Sequence, residues 1–103
     1  MNMYVHHSQA HMEKLDFISK IKELDTVESV SGIVYRIDAV NGKNIIGTRQ
    51  STLKEFKIDT DGLYRAYCDM VRGVIPMTTT ALRNYVNRTQ SPALAILMSL
   101  IKM

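Results

Sequence analysis

SGIVYRIDAVNGKNIIGTRQSTLKEFKI, residues 31–58, is the stretch that decides how this chain folds. Ile33, Tyr35, Ile37 and Ala39 alternate with Val34, Arg36, Asp38 and Val40, a period of two that sends one row to a core and the other to solvent. Asn41-Gly42 is the residue pair best suited to the positive φ angles of a two-residue type I′ turn. Such a turn pairs Val40 with Lys43, Ile37 with Ile46 and Tyr35 with Thr48, which gathers apolar groups on one face. A slip of one residue would carry Ile46 to the other face. After Gln50-Ser51-Thr52, residues 53–58 read as a third strand with Phe56 and Ile58 toward the core. The opposite face then carries Arg36, Asp38, Lys43, Arg49, Glu55 and Lys57, and four of those six are basic.

Helices flank this ribbon. Over residues 13–25, Phe17, Ile18, Ile21 and Leu24 recur at helical spacing and Leu15 widens the stripe, with Asp16 and Lys20 a favourable i,i+4 pair. Residues 26–31 read as a short polar connection whose Val27 and Val30 reach back to the core. Beyond the ribbon, Asp59-Thr60-Asp61-Gly62 breaks the strand and offers N-cap side chains. Leu63, Ala66, Tyr67, Met70 and Val71 then mark the buried side of a second helix, with Arg65, Asp69 and Arg72 pointing away. Residues 78–80, all threonine, cap a short third helix with Leu82, Tyr85 and Val86 inward and Arg83, Asn84, Asn87 and Arg88 outward. Ser91-Pro92 starts a last helix that is apolar nearly all round. The expected fold class is α+β: a three-stranded antiparallel meander over about residues 31–58, packed on one face by an N-terminal helix and three C-terminal helices. A flexible leader, 1–11, precedes a single domain, 12–103.

At 103 residues, 46% hydrophobic and 22% charged, the chain can bury one core without disulfides. Its single cysteine, Cys68, has no internal partner, which favours a reducing, cytoplasmic setting. No apolar run reaches the ~18–20 residues that span a bilayer, so no membrane partner is expected. Residues 1–11 also lack the basic start and apolar core of a signal peptide. His7 and His11 have helical ligand spacing but no Cys or carboxylate cluster beside them, so no metal and no other cofactor is expected.

Charge is distributed unevenly. The formal net charge is +3, yet residues 1–32 carry more acid than base, and no carboxylate follows Asp69 while Arg72, Arg83, Arg88 and Lys102 remain. Such asymmetry points to an anionic partner.

Catalytic patterns are weak. Asp38, Glu55 and Lys57 have the residue types of a metal-dependent nuclease, but a meander pairing Phe56 with Thr48 and Glu55 with Arg49 separates the two carboxylates by roughly 16 Å, against the ~2 Å each needs to one shared ion. Cys68 has no histidine near it in sequence, and neither Gly42 nor Gly47 opens a phosphate-binding helix. A helix-turn-helix over residues 78–100 fails because its second helix offers only apolar side chains to base edges. The leading expectation is a non-enzymatic binding module that contacts nucleic acid through Arg36, Lys43, Arg72, Arg83 and Arg88, with the threonines of residues 78–80 meeting phosphate. The alternative is a homodimeric assembly subunit using Leu94, Leu97, Met98 and Ile101. A nuclease-like enzyme ranks third.

Overall fold

A computed structural model describes residues 12–101. The leader at 1–11, the His7 and His11 pair and Lys102 lie outside the described residues. The fold is α+β, a four-stranded antiparallel sheet of order β1-β2-β3-β4 with helices on one face. In chain order the elements are α1 (Lys14–Lys22), β1 (Thr26–Glu28), β2 (Val34–Val40), β3 (Asn44–Arg49), β4 (Lys54–Asp59), α2 (Thr60–Val71), a 3-10 turn (Ala81–Asn84) and α3 (Gln90–Ile101).

The sheet has one strand more than the alternation predicts. Residues 26–28 are not a connection but β1, paired with β2 through Thr26↔Arg36, Val27↔Tyr35 and Glu28↔Val34. The turn between them closes through Ser29, whose Oγ accepts from the Ile33 amide at 3.0 Å. Val27 is buried as expected, but Val30 sits at the tip of this turn and is 83% exposed.

The central hairpin differs in both turn and register. Neither Asn41 nor Gly42 takes a positive φ. Instead the Asn41 side-chain carbonyl accepts from the amides of Lys43 (2.8 Å) and Asn44 (2.9 Å), an Asx turn that puts Asn-Gly one position earlier than a type I′ turn would. Val40 therefore pairs with Ile45 rather than with Lys43. A β-bulge then inserts Asp38 between the Ala39↔Ile46 and Ile37↔Gly47 pairs. Beyond the bulge Val40 turns toward the core and Ala39 outward. Ile45 becomes the fully buried residue of β3, and Ile46 lies on the outer face. Tyr35 consequently faces Arg49, not Thr48.

The β3–β4 register is set by a glycine. Gly47 lies opposite Phe56, and a Cβ at 47 would stand 2.3 Å from the Phe56 ring and 2.4 Å from the Arg36 carbonyl oxygen. The ring thus covers the bare backbone of Gly47 and stands edge-on to Tyr35, with centroids 5.7 Å apart. This moves Glu55 opposite Thr48 and leaves Lys54, not Glu55, opposite Arg49. Lys43 belongs to the turn, and Arg49 to the same face as Tyr35.

The helices cover the face bearing Tyr35, Ile45 and Ile58. Phe17, Ile18 and Ile21 of α1 are buried, while Leu15 is 79% exposed, because a nine-residue helix has room for only one narrow stripe. Helix α2 is capped by Asp59, whose carboxylate accepts from the Gly62 amide at 2.8 Å. Its Tyr64 and Tyr67 close on Phe17, each with a ring centroid 5.2 Å away. Thr60, the first residue of α2, holds the hairpin tip: its hydroxyl donates to the Asn41 carbonyl (2.8 Å) and its amide to the Lys43 carbonyl (3.1 Å).

The expected third helix is reduced to one 3-10 turn, Ala81–Asn84, started by the Thr78 hydroxyl accepting from the Ala81 amide at 3.2 Å. Threonine and asparagine are weak helix formers, and Arg88 turns the backbone left-handed (φ 61°), so nothing extends the turn. Burial follows the sequence pattern even so: Leu82 and Val86 are buried, Arg83, Asn84, Asn87 and Arg88 exposed. The segment rests on α2 at Gly62, where an added Cβ would stand 2.2 Å from the Tyr85 carbonyl oxygen. Helix α3 supplies Ala93, Ile96 and Leu97 to the core, and Ser91 meets the Tyr35 hydroxyl at 2.8 Å. Thr89 precedes it as N-cap, its carbonyl accepting from the Ala93 amide at 3.0 Å. Its own buried hydroxyl has no partner among the described residues, because Pro92 occupies the third helical position and has no N–H to donate.

Candidate nucleic-acid interface

The five basic residues singled out from the sequence do not form one cluster. Arg36 projects from the outer face of the sheet, where its Nε donates to Asp38 Oδ1 at 2.7 Å. The other Asp38 oxygen accepts from the Thr48 hydroxyl at 2.6 Å, and Arg36 also reaches Thr48 Oγ1 at 3.4 Å. These contacts hold the Asp38 carboxyl below its ordinary value of 3.8, the Arg36 hydrogen bond contributing most and the Thr48 hydroxyl next. Arg36 is thus already engaged with an anion. Lys43 sits at the hairpin tip, on the side where α2 begins.

The remaining three lie in the helical layer, on either side of the 3-10 turn. Arg83 lines a cleft of about 450 Å³ with Thr79, Thr80, Gln90 and Ser91, where α3 starts. The next two residues, Asn84 and Tyr85, line a second cleft of about 440 Å³ together with Tyr64, Arg65, Cys68, Asp69 and Arg72. In it the Tyr85 hydroxyl donates to Asp69 Oδ2 at 2.6 Å, and the Arg65 guanidinium lies 5.9 Å from the Tyr85 ring centroid. The Asp69 hydrogen bond, followed by burial, raises the Tyr85 pKa. Arg88 follows the turn on its left-handed backbone, with its side chain exposed.

Arg65 and the two tyrosines were not among the residues predicted for binding. The signal for Arg65 was present: it precedes Arg72 by seven residues, two helical turns, which places both on one side of α2. The part played by Tyr85 had no such signal, since helical spacing assigns it only to the buried side. Of the two guanidinium groups in this cleft, that of Arg65 is paired with Asp61, Nε to Oδ2 at 3.6 Å.

Leu97 is fully buried in the core and has no surface to offer a second chain; Leu94, Met98 and Ile101 remain partly exposed. Leu94 and Met98 line an apolar cleft of about 220 Å³ with Val30 and Ala95. Asp38 and Glu55 both neighbour Thr48, nearer to each other than the sequence register implied, yet β3 still separates their strands, about 9–10 Å at ordinary sheet spacing. Among the described residues no three His, Cys, Asp or Glu side chains gather where they could hold a metal ion. Among them, too, no helix is long and apolar enough to cross a membrane. Comparison with family models, curated proteins and solved structures returns no match, so function has to be read from the chain's own residues.

Proposed function

We propose that the chain is a non-enzymatic binding module that contacts the phosphate backbone of nucleic acid through the 3-10 turn and the two clefts beside it, in a reducing, cytoplasmic setting. The observation that carries this reading is the division at that turn. Arg83 faces one cleft, Arg65 and Arg72 face the other, and no carboxylate occurs after Asp69. Threonine hydroxyls and asparagine amides between the guanidinium groups suit phosphate and sugar contacts, which position a nucleic acid without reading its sequence. Tyr85, partly exposed beneath Arg65, adds a ring on which an unpaired base can stack.

Fluorescence anisotropy with labelled single- and double-stranded oligonucleotides tests it. Binding should weaken steeply with salt, with a log–log slope of about −3 if roughly three to four phosphates are neutralised. Arg83→Ala should lower affinity for every sequence alike and reduce that slope by about 1. Arg88→Gly should do the same without unfolding, because glycine accepts the left-handed backbone found there. No binding of DNA or RNA at ~50 mM salt, where such contacts are strong, overturns the proposal.

A further inference from the structure

The sheet has two edges, and they are not alike. β1 has three residues and packs against α3, whereas β4 has six, has β3 as its only strand neighbour among the described residues, and continues into α2. The Thr60 amide donates to the Lys43 carbonyl at 3.1 Å, which makes 43 and 60 a hydrogen-bonded pair of the β3–β4 ladder. Alternation then assigns the main-chain groups of Lys54, Phe56 and Ile58 to β3 and sends those of Glu55, Lys57 and Asp59 to the open edge. Leu53, 72% exposed, stands at the head of that edge. Glu55 and Lys57 form no ion pair with any described residue.

We infer that β4 pairs antiparallel with β4 of a second copy of this chain, about a two-fold axis through Phe56. The occupant follows from the charges. Self-pairing that continues both faces of the sheet needs residues of one face to meet, which restricts the axis to a residue position. An axis through Lys57 sets Lys57 against itself and Glu55 against Asp59; an axis through Glu55 sets Glu55 against itself. Like charges directly opposite are destabilising. Only the axis through Phe56 sets Glu55 opposite Lys57 of the second copy, and it does so twice. In that register Glu55 and Lys57 are also the residues whose free amides and carbonyls exchange hydrogen bonds, while Phe56 meets Phe56 on the face that carries the helices. Like charges disfavour the two adjacent same-face registers, and an axis through Ile58, which would set Lys57 against Asp59, pairs only residues 57–59 before the strand runs into α2, so the open edge selects one arrangement instead of inviting a fibre.

Sedimentation equilibrium on the nuclease-treated full chain tests this. The expected species is a concentration-dependent dimer of twice the 11.7 kDa chain mass. Lys57→Glu and Glu55→Lys should each weaken association about tenfold or more, since both cross-strand pairs become repulsive, with far-UV circular dichroism unchanged. The double variant Glu55→Lys with Lys57→Glu restores opposite charges in the same register and should recover the dimer. A chain that stays monomeric at ~1 mM overturns the proposal. A dimer indifferent to both single variants but lost on Met98→Glu also overturns it, and assigns association to α3. Failure of the double variant to recover the dimer overturns the two-fold register.

Discussion

The two faces of the sheet obey different rules. On the helical face, Tyr35, Ile45 and Ile58 are nearly or fully buried, and apolar area alone decides which residues turn inward. On the outer face, Thr48 is just as buried, at 5% exposure, yet what surrounds it is polar: the Asp38 carboxylate and the Arg36 guanidinium. One face is organised by exclusion of water, the other by hydrogen bonds among groups that water could also satisfy. The contrast teaches that burial by itself does not identify the core side of a strand.

The sharpest way to break this comparison uses two adjacent residues. Ile45→Ala should cost about 2–5 kcal/mol in urea unfolding, as other fully buried aliphatic truncations do, whereas Ile46→Ala on the outer face should cost well under half as much. Equal losses would mean that both faces are core. Gly47→Ala comes next, at about 3 kcal/mol, because the new methyl meets the Phe56 ring and the Arg36 carbonyl from the helical side. Asp59→Ala, which removes the cap of α2, should cost about 1 kcal/mol and leave the sheet intact by circular dichroism.

Smaller effects separate the two faces by pH. The Asp38 carboxyl is held low by Arg36 and Thr48, so the stability it adds is present above the ordinary carboxylate value and is lost as pH falls through its lowered pKa. Asp38→Asn should therefore flatten the acid limb of a urea-midpoint profile. The helical layer supplies the alkaline limb. Burial first, then contact with Cys68, pushes the Tyr64 phenol up to about 12, and burial likewise raises Tyr67. The Tyr64 contribution is complete below pH 10 and disappears as pH rises toward 12, and that of Tyr67 is lost in the same direction, which absorbance at 295 nm and circular dichroism should register together.

Much of this was legible in the order of the residues. Alternation identified β2, and helical spacing picked out Phe17, Ile21, Leu63, Ala66, Tyr67 and Met70 as buried. A cap within Asp59-Thr60-Asp61-Gly62 was readable too, because short acceptors before an apolar-periodic run have few other uses, though only the fold picks out Asp59. What escaped was register. Asn41-Gly42 satisfies two turn chemistries, and the one adopted depends on the Asn41 side chain capping locally rather than on glycine's freedom. The bulge at Asp38 has no signal in alternation; its carboxylate is held by Thr48 on the neighbouring strand and by Arg36 two residues back on its own. β1 was too short for a period of two to be visible. For the candidate interface, sequence marked the basic tail and already put Arg36 on the outer face, away from it, but could not place Arg65 and Arg72 beside Tyr85, since that proximity arises only when the 3-10 turn settles on Gly62.

The grip of Thr60 on the hairpin tip has a kinetic consequence. Amides in the first turn of a helix lack an intrahelical acceptor and usually exchange quickly with deuterium. The Thr60 amide is instead tied to the Lys43 carbonyl in a fully buried residue, so it should exchange with the slowest core amides. Helix α2 and the hairpin then open as one unit, and fraying of the helix start has to wait for the strands to part.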